Sequence, residues 1–342
     1  MDKRLVAVGI GVAGLLAFPS ISTAKKIDVF DGQSIQRALN RAHSGDTIKV
    51  HHGVFRQSAE IKKDDLTLKG AGAQQKHGTV IRPPKHTKRC EGGAGFCIFS
   101  RTNGTHIKGF VLRGFPGFGA NAVLARKTVF LHNKFVNNGE YGVAAFASRR
   151  TKFLHNKASG SGEAGFYIGD SKQSSAVLKD NTARDNGAFG YFLRDASHGR
   201  VIENEAKGNC VGIGLINTGS GGGVRGWRVR DNDVRRNNNS CPPEEGAPPL
   251  SGTGIFLLGA KKNTVRANVV LNNRPTTSTP FAGGIVLFSS EAFGGTVTAH
   301  NVIKRNDAHQ NSPADLRWDG KGTGNRFRRN HCDTSQPSGL CH

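Results

Sequence analysis

From residue 130 onward the chain repeats one pattern of apolar and polar positions: apolar, two residues, Asn, one residue, apolar, two residues, Asn. The first copy reads Phe130, Asn133, Phe135, Asn138, and the second Phe153, Asn156, Ala158, Ser161. Leu178, Asn181, Ala183, Asn186 and then Val201, Asn204, Ala206, Asn209 follow. Val265, Asn268, Val270, Asn273 is a later copy, and looser ones centre on Asn232, Asn301 and Asn330. The leading asparagines step by 23, 25 and 23 residues, then by 28, 36, 33 and 29, which insertions explain. After each copy a glycine opens a short apolar strand: Gly142-Val-Ala-Ala-Phe, Gly165-Phe-Tyr-Ile, Gly190-Tyr-Phe-Leu, Gly212-Ile-Gly-Leu, Gly254-Ile-Phe-Leu and Gly284-Ile-Val-Leu.

Each repeat therefore holds two or three strands of three to six residues, with no room for a helix of ordinary length. Strands this short, recurring at a fixed period, bury a face only by stacking on their neighbours. Stacking sets each asparagine above the last, where its amide bonds to backbone and to the next asparagine. The predicted fold is all-β, a single-stranded right-handed parallel β-helix. An N-terminal capping helix is expected over Ser34–Ala42, with apolar residues at 35, 38, 39 and 42 on one face. Such a helix would cover the first strand edges. The expected layout is a cap over about 27–55, repeats over about 56–332 and a C-terminal disulfide loop at 332–341, together one domain over 25–342.

The first 24 residues read as a signal peptide: Lys3 and Arg4, an apolar run from Leu5 to Phe18, and Ser22-Thr23-Ala24 as cleavage site. That run is short of the roughly 20 residues a membrane span needs. All six cysteines, Cys90, Cys97, Cys210, Cys241, Cys332 and Cys341, follow it, as suits an oxidising compartment. Grouping along the chain suggests pairs 90–97, 210–241 and 332–341, among fifteen arithmetically open pairings. The mature protein is expected to be secreted, extracellular or periplasmic, monomeric, and without a transmembrane segment. Charge adds a partner class. Forty-eight Lys and Arg against 25 Asp and Glu give +23, and losing two bases and one acid with the leader leaves +22. Such a field attracts polyanions.

With the stretch from Ile35 to Phe55, the Leu66-Thr-Leu-Lys-Gly70 strand and the Asn-and-Gly repeats, the chain resembles the pectate-lyase-like right-handed parallel β-helix superfamily over about residues 27–332. Its NosD-like and carbohydrate-binding, sugar-hydrolase branch is the nearest. The resemblance implies the fold and a carbohydrate-facing role, in a group that includes polysaccharide lyases, uronan epimerases and glycoside hydrolases. Several of the group's signatures are missing. Pectate lyases carry Asp-Gly-x-x-Asp where this chain has Glu163-Ala-Gly165-Phe-Tyr-Ile-Gly-Asp170. The alginate epimerases' Asp-Pro-His finds only Asp195-Ala-Ser-His198, and the polygalacturonases' Asn-Thr-Asp and Gly-His-Gly are absent.

Strand alternation turns the third and fifth residues of each glycine-opened strand outward. That set is Ala144 and Phe146, Tyr167 and Gly169, Phe192 and Arg194, Gly214 and Ile216, Phe256 and Leu258, Val286 and Phe288. An apolar stripe of this length on an outer face marks a contact surface. Tyr167, Phe192, Phe256 and Phe288 are its candidate sugar-stacking residues. The competing expectation is that insertions at 219–251 and 274–283 fold over it as satellite core. Beside the stripe lie the candidate catalytic residues Asp170, Lys172, Arg194, Asp195 and His198. Coils stack about 4.8 Å apart, so Asp170 and Asp195 are expected neighbours. A cation, Ca²⁺ or Arg, would neutralise a uronate carboxylate and acidify C5–H, and Lys172, Arg194 or His198 would take the proton. Two close carboxylates could instead cleave a glycosidic bond.

His132 and His155 each precede a ladder asparagine and are expected to stack, and the NosD-like resemblance implies copper for such a pair, since imidazole suits that metal. The run Gly219 to Gly223 has no following helix and so makes no phosphate loop. The expected function is a carbohydrate-active protein working on an acidic, uronate-containing polysaccharide by lyase or C5-epimerase chemistry. The alternative is a non-catalytic module for envelope glycan or another polyanion. Nucleic acid is not expected as a partner, since charge alone supports it and no nucleic-acid motif does.

Overall fold

The computed structural model describes residues 24–74, 77–99, 101–243 and 248–341. The expected leader, apart from Ala24, lies outside the described residues. Three parallel sheets run the length of the molecule, of 12, 11 and 11 strands. The first runs from Lys26–Val29 to Arg326–Arg328, the second from Gly53–Arg56 to His331–Cys332, the third from Ala59–Ile61 to Ser335–Gln336. Successive strands in the chain fall in different sheets, and each pairs with its counterpart one coil later. Phe130, Phe153, Leu178 and Val201, for example, are register partners down the first sheet. The chain is a right-handed parallel β-helix.

Inside the coil the apolar residues of the repeat form one continuous core, including Phe130, Phe135, Phe153, Leu178, Val201, Val265 and Val270. The bends hold the asparagines. Asn133, Asn156, Asn181, Asn204, Asn232, Asn268, Asn306 and Asn330 pass a side-chain amide bond from one coil to the next at 2.8–3.1 Å. Each asparagine also donates to a backbone carbonyl, as Asn181 does to Phe153 at 2.8 Å. The residue before each one is left-handed, with φ between 52° and 56°, and it is a histidine, acid, alanine or arginine rather than glycine. Such a conformation costs on the order of 1–3 kcal/mol, and the buried amide bonds hold it in place.

The structure corrects one register. Asn301 does not follow Asn268; it belongs to a separate ladder, Asn263–Asn301–Asn325, at the bend from the third sheet into the first. The leading ladder continues through Asn306, so its last steps are 38 and 24 residues. The glycines that open the third-sheet strands have a packing reason. A Cβ on Gly190 would stand 2.6 Å from the Gly212 carbonyl oxygen and 3.0 Å from the Asn209 amide. Asparagine and glycine in the repeat are thus two halves of one contact.

A helix spans Ile35–Arg41, with Ser34 accepting from the Arg37 amide at 3.2 Å. Its Ile35, Ala38 and Leu39 join the core, and it packs against Lys26–Val29, Thr47–Val50 and Ala59–Ile61. All six cysteines form the expected disulfides, Cys90–Cys97, Cys210–Cys241 and Cys332–Cys341. Among the described residues no helix is long and apolar enough to cross a membrane.

Candidate functional site

The outer face of the third sheet carries the predicted residues. Alternation is as expected: Val143, Ala145, Phe166, Ile168, Tyr191 and Leu193 enter the core, while Ala144, Tyr167, Phe192, Phe256 and Val286 point the other way. The outward residues are nevertheless buried. Tyr167 is 1%, Phe192 6% and Phe256 1% exposed, and only Phe288 of the four candidate stacking rings keeps intermediate exposure. Tyr167 stacks on Tyr141 with ring centroids 4.5 Å apart and meets Phe192 edge-on at 5.3 Å. Phe189 lies flat on Phe192 at 4.1 Å, in space left free by Gly214, whose added Cβ would stand 2.8 Å from that ring. Phe281, from the 274–283 insertion, covers Phe256 at 4.9 Å. The stripe is a satellite core packed by its own rings and by an insertion, and the expectation of an open stacking platform is corrected accordingly.

Among the candidate catalytic residues, Gly169 and Arg194 are register partners, and the Asp170 amide donates to the Arg194 carbonyl at 3.1 Å. Asp170 and Asp195 therefore occupy equivalent bends of adjacent coils. Their surroundings differ. Asp170 is exposed, but Asp195 has no exposed surface and accepts from Thr218 N at 2.9 Å, Thr218 Oγ1 at 2.5 Å and Ser220 Oγ at 3.3 Å. Asp195 anchors the loop that follows the strand Val211–Ile216, and both of its oxygens are engaged there. It does not form an open carboxylate pair with Asp170.

Arg194 is half-buried, its guanidinium 6.0 Å from the centre of the Tyr167 ring. Burial works against its charge, but the field of Tyr167, Asp170, Tyr141 and Asp195 outweighs burial and raises its pKa. It is a fixed cation, not a base. Burial likewise pushes the Tyr141 and Tyr167 hydroxyls far above the ordinary tyrosine value, with Glu163 hydrogen-bonded to Tyr141 adding to the shift there. Both hydroxyls stay protonated. Lys172 is exposed, its side chain lying over the backbone of Gly222. His198 is exposed at the bend into the first sheet, separated from Asp195 by the buried Ala196 and Ser197, and its carbonyl accepts from Ser174 Oγ at 2.8 Å.

Ca²⁺ takes 6–8 oxygen ligands, and this donor set does not supply them. The one exposed carboxylate, Asp170, stands among Lys172 and Arg194, and Asp195 is occupied. His132 and His155 do stack, with centroids 4.9 Å apart and planes at 20°. Among the described residues, however, the group of three ligand-bearing side chains lies elsewhere, at Asp307, His309 and His331.

Sequence reasoning passed over a strongly basic groove. A cavity of about 1010 Å³ is lined by Arg101, Arg126, Lys127, Arg149 and Arg150, with Asn103, Leu124, Gln173 and Ser175 and no acidic residue. Arg126 bridges Asn103 on one side and Arg149 on the other, and Lys127 N donates to the Arg149 carbonyl at 2.9 Å, so the cations stack coil on coil. Among the described residues none of the five cations forms an ion pair. The groove ends at Gln173 and Ser175, in the bend that carries Asp170 and Lys172. Through Leu124 it adjoins a second cleft of about 740 Å³, lined by Phe99, Phe118, Asn121 and Glu140 among others. There Asn121 Oδ1 is buried without a hydrogen-bond partner. The missed signal was present in the repeat: Arg126-Lys127 and Arg149-Arg150 both begin seven residues before a ladder asparagine.

A family model described as right-handed beta helix region matches residues 86–238. Among solved structures, a mutant of the periplasmic alginate epimerase AlgG is similar with a TM-score of 0.54 and 12% identity, over 82% of this chain and 72% of that one. The A-module of the Azotobacter vinelandii mannuronan C-5 epimerase AlgE4 gives 0.52 and 14%, over 88% and 86%. DFA-IIIase from Arthrobacter chlorophenolicus A6, in complex with GF2, gives 0.58 and 12%, over 84% of each chain. No curated protein matches the sequence. At these identities the likeness is one of fold.

Proposed function

We propose that this is an extracellular or periplasmic protein that holds an anionic, uronate-containing polysaccharide along the basic bends beside the third sheet, and acts on it at the end of that groove. The observation that carries the reading is the groove itself: five cations, stacked on successive bends, that pair with no acid among the described residues. A polymer bearing a carboxylate on each sugar matches a surface that repeats its charge with every coil, about 4.8 Å. The three disulfides suit an oxidising compartment. The fold is shared with two epimerases whose names specify alginate and mannuronan, which favours the same class of polymer.

The chemistry proposed is β-elimination or C5 epimerisation. Arg194, the fixed cation one coil beyond the bend where the groove ends, neutralises the uronate carboxylate and so acidifies the hydrogen on C5. Lys172 or His198 takes that proton. In elimination the electron pair forms the C4–C5 double bond as the C4–O bond breaks and the leaving oxygen takes a proton from water; in epimerisation water returns a proton to C5 from the opposite face. A second reading has a specific observation in its favour. The engagement of Asp195 with Thr218 and Ser220 removes one of the expected catalytic carboxylates, which fits a module that binds glycan without altering it.

The test mixes the protein with pectate, alginate, hyaluronan, heparin and chondroitin sulfate. It follows ultraviolet absorbance of unsaturated uronate, uronate composition by NMR, and binding by calorimetry. A rise in absorbance or a change in composition with one polymer supports the enzyme and names its substrate. Salt-sensitive binding without product supports the module. Absence of binding to all five polymers sinks both.

A further inference from the structure

We propose that Asp307, His309 and His331 form a binding site for a divalent first-row transition-metal ion, with Asp333 as the residue that positions His309. The site stands on the outer face of the second sheet near its C-terminal end, away from the groove. It does not depend on the function proposed above.

The backbone builds it as a two-by-two square. Asp307 and His331 are register partners on adjacent strands, with Ala308 and Cys332 paired next to them. Both begin one residue after a ladder asparagine, Asn306 and Asn330, so the ladder fixes their height. His309 and Asp333 lie two residues further along, on the same face by strand alternation. Asp-x-His on one coil thus meets His-x-Asp on the next.

Three ligand atoms converge at the centre of the square. His309 Nε2 lies 2.9 Å from Asp307 Oδ1, His331 Nδ1 lies 2.9 Å from the same oxygen, and the two nitrogens are 2.9 Å apart. The rings meet nearly at right angles, at 74°. Hydrogen bonds cannot satisfy this triangle. A ring nitrogen either donates or accepts, and an ionised carboxylate only accepts. At least one of the three edges must then join two like groups. A cation above the triangle satisfies all three lone pairs at once.

The dimensions select the kind of ion. At metal–ligand distances of about 2.0–2.1 Å, ligands at right angles stand about 2.9 Å apart, whereas tetrahedral ligands stand about 3.3–3.4 Å apart. The triangle is one face of an octahedron. Two imidazoles and one carboxylate in that arrangement suit a transition ion and leave open positions on the other side. Those positions face solvent, since the His331 side chain is 82% and the Asp307 side chain 49% exposed. Asp333 supplies the usual partner of a ligating histidine: its Oδ2 lies 2.9 Å from His309 Nδ1. Accepting a hydrogen bond from Nδ1–H, it leaves the Nε2 lone pair for the ion.

Titration of the metal-stripped, disulfide-bonded protein with Co²⁺ tests the site, followed by absorption in the visible range and by displacement with Zn²⁺. The expected result is one Co²⁺ per chain with ligand-field bands, lost in His309→Ala and His331→Ala while the metal-free melting temperature stays within a degree or two. Asp333→Asn should keep the bands and weaken affinity by about 10–100-fold. Uptake no greater in the wild type than in the double variant His309→Ala/His331→Ala overturns the proposal. So does an Asp333→Asn affinity equal to the wild type's, for the positioning role.

Discussion

At Asp195 a carboxylate with no exposed surface meets three donors from Thr218 and Ser220, while one coil away the equivalent Asp170 faces solvent. The pair is thus separated by what the chain does one coil later: the strand Val211–Ile216 is followed by a longer loop that brings Thr218 against the Asp195 bend, and among the described residues nothing comparable covers Asp170. Replacing Asp195 with Ala strips the acceptor from the half-buried Thr218 N–H and from the Thr218 and Ser220 hydroxyls. It should destabilise the fold by about 1–3 kcal/mol, read from urea unfolding. Asp170→Ala should move stability by no more than about 0.5 kcal/mol, as exposed substitutions do. Equal effects at the two positions would show that Asp195 is not an anchor. Substrate turnover lost in Asp170→Ala at unchanged stability would place chemistry there.

The bends and strands show how the coil enforces its own sequence. Asn181 accepts from the Asn156 backbone and side-chain amides and donates to the Phe153 carbonyl and to Asn204. Asn181→Ala leaves several of these groups buried and unpaired, at a cost upward of about 3 kcal/mol, whereas Asn330→Ala at the ladder's end, with no further asparagine to donate to, should cost less. Calorimetric melting of the two variants checks the ranking. At the first coil, Asp46 accepts from the amides of His43 at 2.8 Å and Lys25 at 2.7 Å, which hold its carboxyl below the usual 3.8. A carboxyl depressed on folding contributes stability above its unfolded pKa and loses it as pH falls through the folded one. Amide exchange over Lys26–Val29 should therefore quicken below about pH 4 and be unaffected by pH between about 5 and 8, once intrinsic rates are corrected. Asp46→Asn should show the quickened exchange at neutral pH. The repeat and its glycine column were legible because each coil must reuse the same contacts: apolar into the core, Asn in the bend, Gly beside it. Asn301 was misassigned because two ladders use the same residue, and only pairing tells them apart. The burial of Tyr167, Phe192 and Phe256 was not legible, since alternation gives the direction of a side chain and not what lies over it. The basic bends and the Asp307–His331 square were readable as equal offsets from ladder asparagines, but only after those asparagines were aligned.

Over the whole molecule, the formal +23 could attract any polyanion diffusely, and the groove matters only if binding depends on where the charge sits. Field strength falls off over about 8–10 Å at physiological salt, so cations on one bend stack reinforce each other while distant ones contribute little. Arg126, Arg149 and Arg150 share that stack. Arg326, Arg328 and Arg329 are exposed at the far end of the helix and carry the same charge away from it. Triple alanine variants at the two places lower net charge equally. Binding of alginate or pectate oligomers, measured by calorimetry across salt concentrations, should weaken by tenfold or more in the groove variant and by less than twofold in the distal one. The salt dependence should flatten only in the groove variant, because that is where close charge pairs are lost. Equal weakening would mean that the polymer responds to net charge alone, and the ordered stack of arginines would then be incidental to recognition.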